Sequence, residues 1–393
     1  MSEGRRIVVL GAMAQMPFAG VAWQVLHYLE GFRRLGHDVT YVEDTGAWPY
    51  DPVDEGLTDD ATRAVARLRR LLEAYGFDRW SFRNGARPDE LSGMSVEELR
   101  RALAEAEILV NLTGATVLRD EHRAVPVRVY LETDPVRPQI EVARGDEFTI
   151  ALLADHTHHF TFGERVGRSD CPVPVERFEY RPTRQPIVID WWRRADGRPA
   201  GQRNPRFTTV GNWSQPQKDV EWQGEHYGWS KSEEFAKLID LPRRVGPGVV
   251  LELALALEDQ DVIDRLRRAG WRVRPAAALS HDTDAYRDYV AGSHAEFTVA
   301  KDQNVRLRSG WFSDRTASYL AAGRPAVVQD TGFDVALPVG EGLLAFESED
   351  EAASAVAEVA GDHPRHAAAA AAIADEYFRA ETVLARLVAE VGG

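Results

Sequence analysis

The sequence predicts an α/β protein built as two Rossmann-like domains that face each other across a cleft. Three observations predict it. At 393 residues with 44% hydrophobic side chains, the chain can fill two cores. In both halves, apolar runs of four or five residues alternate with segments whose apolar positions recur every three or four residues. A proline-rich break separates the halves. Such alternation builds a parallel sheet covered by helices on both faces, with ligands held outside the carboxyl ends of the strands.

The elements follow in order. Ile7–Leu10 reads as the first strand, being too short for a signal-peptide core. After the loop Gly11–Gly20, a helix is predicted on Val21, Val25, Leu26, Leu29 and Phe32, stopped at Gly36, and Val39–Val42 resumes a strand that ends in Glu43 and Asp44. That is a βαβ unit. Helices are then predicted over 62–75 and 95–105, and strands over 108–112, 127–131 and 160–162. Pro172, Pro174, Pro182, Pro186, Pro199 and Pro205 break the pattern, and the boundary is placed at Arg184, giving a first domain of 1–184. The second, 185–375, has predicted strands over 207–210, 249–255, 271–273, 296–300 and 326–329. Its helices are predicted over 262–269, 284–291 and 314–322, the last stopped by Gly323 and Pro325. The tail, 376–393, is predicted as a helix whose Phe378, Leu384, Leu387, Val388 and Val391 can pack back on the first domain.

Composition excludes several function classes. With 62 acidic against 47 basic residues and a net charge of −15, the chain has the wrong sign for a nucleic-acid or anionic-membrane partner. No run approaches the roughly 20 apolar residues of a membrane span. A lone cysteine, Cys171, rules out internal disulfides and fits a reducing compartment, so the cytoplasm is expected. Oligomeric state has no signature in the sequence.

Several segments can carry chemistry. In Arg308-Ser-Gly-Trp-Phe-Ser-Asp-Arg315, Gly310 permits close backbone approach, and Ser309 or Ser313 can cap a helix whose N-terminus and flanking arginines suit an anion. An ordinary capped helix with a glycine stop explains the same residues. Lys218, Lys231 and Lys301 are three of only four lysines, and Lys301 follows a predicted strand. Glu132 and Asp134 end another strand, where a carboxylate can deprotonate a hydroxyl. His158 and His159, in a histidine-rich run, can act as a base or bind a sugar; a metal is not expected there. Trp191, Trp192, Trp213, Trp222 and Trp229 offer aromatic platforms or plain packing.

The succession Gly310-Trp-x-Ser313, a helix, Leu320-Ala-Ala-Gly-Arg-Pro325 and a strand ending Asp330-Thr-Gly332 resembles the donor-binding segment of GT-B-fold glycosyltransferases. The resemblance implies that the second domain grips a nucleotide diphosphate-sugar, with a uridine or thymidine diphosphate-sugar expected, through Gly211, Asn212, Lys301, Arg308, Ser309, Gly310, Ser313, Arg315, Asp330 and Thr331. It implies that the first domain seats a small-molecule or cell-surface acceptor near Gln15, Met16, Pro17, Gly20 and Glu132, with no cofactor and no metal. Asp134 is the first choice for acceptor activation, with His158 and His159 behind it. The sequence departs from the known subfamilies. Gly310 and Ser318 stand where the large retaining group has two glutamates. Arg308, Phe312 and Thr316 replace the histidine, asparagine and glutamate of the plant-type natural-product group, and Gly11–Gly20 lacks that group's histidine. Inversion or retention is therefore not legible. A nucleotide-sugar 2-epimerase, or a relative that binds a sugar nucleotide without turnover, is the alternative reading.

Overall fold

The computed structural model describes residues 4–54, 56–193 and 205–392. In the first domain the strands are β1 (Arg6–Leu10), β2 (Asp38–Glu43), β3 (Trp80–Arg83), β4 (Leu91–Gly93), β5 (Ile108–Leu112), β6 (Val127–Glu132), β7 (His158–Thr161) and β8 (Tyr180–Pro182). They form one sheet in the order β8-β7-β6-β5-β1-β2-β3-β4, parallel except for the edge pair β3–β4. The second domain holds β9 (Arg206–Asn212), β10 (Val250–Ala256), β11 (Arg272–Pro275), β12 (Ala295–Thr298), β13 (Ala326–Gln329) and β14 (Leu343–Phe346). Their order is β11-β10-β9-β12-β13-β14, all parallel. In both sheets the order reverses beside the first strand, so each domain has a crevice at the carboxyl end of that strand, β1 or β9.

The strands expected at 160–162 and 296–300 sit two and one residues earlier, at His158–Thr161 and Ala295–Thr298. The short strands β3, β4, β8 and β14 have no counterpart in the sequence reading. Nor do the helices Arg137–Ala143 and Glu147–Ala154. The latter carries Phe148, Thr149 and Ile150, strand-type residues, yet Asp146 fixes it as a helix by accepting from the Thr149 backbone N–H at 2.8 Å.

The two domains share a core. One continuous apolar cluster runs from Ile7, Leu26 and Leu29 of the first domain through Phe312 and Leu320 of the second to Phe378, Leu384 and Leu387 of the tail. The last helix, Ala380–Val391, lies along the helix Ala19–Arg34. Contact there is close because Gly31 has no side chain: a Cβ would come within 2.5 Å of Leu384 Cδ1 and 3.0 Å of Ala380 Cβ. Between the domains the chain leaves the first sheet after Pro182 and pairs Ile187 with Arg379. Pro199, counted in the proline-rich break, lies outside the described residues.

Candidate functional site

The carboxyl ends of β1, β5 and β6 open onto a cavity of about 570 Å³ that the second domain closes with Lys218, Trp229 and Asp314. Its first-domain wall is built by the loop after β1. Glu43, buried at the end of β2, holds that loop by accepting from the backbone N–H groups of Ala14 at 2.9 Å and Gln15 at 2.5 Å and from the Tyr41 hydroxyl at 2.8 Å. Gln15, Met16 and Gly20 line the cavity; Pro17 is buried beside it. Glu132 forms part of the floor at 2% exposure, and its oxygens accept from Gln139 Nε2 at 2.8 and 2.9 Å and Thr161 Oγ1 at 2.6 Å.

Asp134 and Asp314 face the same space from opposite domains. Asp134 makes an ion pair with Lys301, whose ammonium lies 3.5 Å from the ring centre of Trp229. Lys218 lies 5.1 Å from that ring, and both Lys231 and Lys301 lie 5.9 Å from the ring of Trp311. Three of the chain's four lysines thus converge on two tryptophans at the cleft. Burial, followed by the Arg315 charge, holds the Lys231 ammonium well below its ordinary pKa, and burial lowers Lys301 against the opposing pull of Asp134. Lys231 makes no ion pair among the described residues. A desolvated surplus of positive charge is costly alone and favourable beside an anion.

Asp314 accepts from Gln24 Nε2 across the cleft at 2.8 Å. Burial, reinforced by the Asp134 charge, raises its pKa from 3.8 to about 7. The sequence reading missed it, because an aspartate after the capping Ser313 is also what the start of any helix favours.

The segment expected to bind diphosphate also holds the fold together. Gly310 has φ +74°, and a Cβ there would lie 2.8 Å from the Arg165 backbone nitrogen. The Arg165 N–H donates to the Ser309 carbonyl at 3.1 Å, and Trp311 Nε1 donates to the Thr133 carbonyl at 2.8 Å. The glycine-tryptophan turn therefore stitches the domains together. Ser309 is fully buried and donates to Asn304 Oδ1; Thr331 donates to the Trp311 carbonyl. Ser313 caps the helix Asp314–Ala321 by accepting from the Arg315 N–H at 3.3 Å. Arg315 spends its guanidinium on buried Glu296 at 2.6 Å, the Val210 carbonyl at 2.8 Å and Thr298 Oγ1 at 2.8 Å. Arg308 pairs with Glu347 at 2.9 Å and Asp330 at 3.0 Å. Gly211 and Asn212 end β9 at the cleft edge, Asn212 exposed.

The histidines are not brought to the cavity. His159 is buried against Phe178, its Nε2 2.9 Å from the Leu153 carbonyl, and His158 shares a hydrogen bond with Thr157. Both sit on β7, which begins two residues before the strand expected at 160–162, so their side chains pack beside a strand rather than reaching the cavity as a base or sugar contact. Among the described residues one group, Asp44, Glu121 and His122, brings three metal-type ligand atoms within 4.8 Å of one another. It lies outside the cavity, and Asp44 already holds Arg83 at 3.0 Å and Arg119 at 2.9 Å, two charges that oppose a cation.

Three buried carboxyls at or beneath the cavity hold their protons to unusually high pH, mainly through burial: Glu43 to about 7, Asp314 to about 7 and Glu132 to about 8. Each binds its proton in the fold at pH values where the unfolded chain has lost it, so stability falls as pH rises through these values. Between pH 6.5 and 8.5 the three carboxyls contribute a loss on the order of 3 kcal/mol, opposed by Lys231 and Lys301, whose lowered ammonium pKa values make stability rise with pH over the same range. Thermal unfolding at the two pH values reads it, and Glu132→Gln should remove the largest part. The same pH dependence in wild type and Glu132→Gln would show that Glu132 is ionised in the fold.

No family model matches the chain, and no curated protein matches it in sequence. Solved structures do match. HepE from Anabaena, determined with UDP and glucose, is 14% identical over 99% of this chain and 100% of its own, with a TM-score of 0.59. The chain has the GT-B fold. AviGT4, a glycosyltransferase involved in avilamycin A biosynthesis, is 14% identical over 99% and 97% of the two chains at a TM-score of 0.55. An alpha-glucosyltransferase in complex with UDP-glucose and DNA is 11% identical over 99% and 100% at 0.55. Among the described residues of this GT-B chain, no helix is long and apolar enough to cross a membrane.

Proposed function

We propose that the protein transfers a sugar from a nucleotide diphosphate donor, UDP- or TDP-linked, to a hydroxyl of a small acceptor. The observation that carries this reading is the convergence of Lys218, Lys231 and Lys301 on Trp229 and Trp311, opposite the carboxylates Asp134 and Asp314. A diphosphate supplies the negative charge that desolvated Lys231 lacks, with Lys218 and the Asp134-paired Lys301 in place beside it before it arrives. The fold shared with HepE, AviGT4 and the alpha-glucosyltransferase, which were solved with UDP species or named for glycosyl transfer, supports the same reading.

In the transfer, the acceptor oxygen bonds to the anomeric carbon as that carbon's bond to the phosphate oxygen breaks. The electron pair leaves with the diphosphate, where the lysines meet the growing charge. The acceptor's proton passes to a cavity carboxylate. Asp314 suits that task better than Asp134, since a pKa of about 7 matches a proton acceptor at neutral pH while Asp134 is held by Lys301. Half-buried Gly211 and exposed Asn212, where β9 ends, are the backbone proposed to meet the donor. Arg308 and Arg315 serve the domain's own architecture.

Titration calorimetry with uridine, thymidine, guanosine and adenosine diphosphates and their sugar conjugates tests the donor half. Selective binding is expected, weakened at least tenfold by Lys231→Met or Lys301→Met and less than twofold by Arg308→Ala. Binding that depends on Arg308 and ignores both lysines would move the diphosphate site to the β13 edge. Absence of binding to any nucleotide would remove the reading.

A further inference from the structure

The acceptor side of the cleft mouth has an apolar surface that the core does not use. Gln15 accepts from the Tyr50 backbone N–H through its carbonyl at 3.1 Å, which ties a small hairpin, Tyr50–Asp51 paired with Gly56–Leu57, to the loop after β1. In that pairing Tyr50 stands directly across from Leu57. Phe18 packs on Tyr50 with ring centres 5.9 Å apart and on His281 of the second domain at 5.4 Å, so the patch sits where the two domains meet. Met16, which lines the cavity, is 43% exposed; Trp48, on the same arm as Tyr50, is 49% exposed, and Leu57 is 71% exposed. Met16, Phe18, Tyr50 and Leu57, joined by these contacts and with Trp48 two residues before Tyr50, give the cavity mouth an apolar surface.

The patch lies on an acidic collar. Between Thr45 and Ala61 the sequence has five carboxylates, at positions 51, 54, 55, 59 and 60, and no basic residue. Arg63 reaches in to pair with Asp51 at 2.7 Å and Asp54 at 3.0 Å, and Arg87 with Asp59 at 2.7 Å. A nucleic acid, an anionic bilayer or a phosphorylated carrier is repelled by such a rim. A neutral apolar body is not. The cavity behind it continues the theme on the first-domain side with Ala12, Val21, Val25, Leu112 and Ala115.

We infer that Met16, Phe18, Trp48, Tyr50 and Leu57 form the subsite for the aglycone of the acceptor, and that the acceptor is a small molecule without negative charge, with an aromatic or alicyclic body carrying the reactive hydroxyl. The inference rests on the sugar-transfer reading for the role of that hydroxyl, while binding at the patch is measurable without any donor. Trp48 and Leu57 are exposed, so Trp48→Ser and Leu57→Ser leave the core intact.

The experiment titrates the purified full chain, without nucleotide, with the phenol 4-methylumbelliferone, with maltose, and with phosphatidylcholine vesicles in a sedimentation assay; UDP is titrated alongside. The phenol is expected to bind at least fivefold more weakly to the Trp48→Ser/Leu57→Ser double variant, with UDP affinity unchanged and maltose and vesicles unbound. Three results would overturn the inference: no phenol binding, phenol binding indifferent to the two substitutions, or capture of maltose or vesicles at the patch. A failure of UDP to bind, with the phenol behaving as expected, would instead count against the donor reading and leave the apolar subsite standing.

Discussion

Asp314→Asn is expected to lower turnover by between about 10²- and 10⁴-fold, the range associated with loss of a positioned general base. Affinity for the nucleotide should change less than twofold, because the lysine and tryptophan cluster is untouched. The wild type should lose activity as pH falls below about 7, where Asp314 takes up its proton, and the variant should lack that limb. The amide preserves size and can keep a hydrogen bond with Gln24, so folding is not the expected cause of any loss. Unchanged activity in Asp314→Asn together with inactive Asp134→Asn would assign proton transfer to Asp134, and the ion pair with Lys301 would then have to open during the reaction.

The second large effect concerns the tail. Ending the chain before Ala380 removes Val383, Leu384, Leu387 and Val391, all at 6% exposure or less. At roughly 1.5–3 kcal/mol for each buried side chain, the loss is on the order of 10 kcal/mol. That is comparable to the whole stability of an ordinary domain. The truncated chain is expected to aggregate or to melt without cooperativity by circular dichroism. A cooperative melt within a few degrees of the full chain would mean that the first domain completes its core alone.

Much of the first domain is legible in the sequence. The βαβ unit of residues 7–42 is legible because Gly36 and the three- and four-residue spacing of Val25, Leu29 and Phe32 are local signals, and local signals suffice for long elements. The strand Trp80–Arg83 and its partner Leu91–Gly93 were not, since strands of three or four residues owe their conformation to neighbours distant in sequence. The same limit governs the site. That Gly310 and Trp311 serve the interdomain seam depends on Arg165 and Thr133, some 150 residues upstream, and no spacing rule reaches that far. The lysines show the opposite case. Their scarcity is visible in the sequence, and the structure brings three of the four to two tryptophans of one cleft.

The close packing of the last helix on the first, made possible by Gly31, also orders events in time. On a ribosome the helix Ala19–Arg34 emerges about 20–70 s before its partner Ala380–Val391 at typical rates of synthesis. Throughout that interval the face of the helix around Gly31 is bare. The first domain is made before the second yet is completed only by residues 380–391, which act as the clasp that ends this face's exposure to chaperones and to other copies.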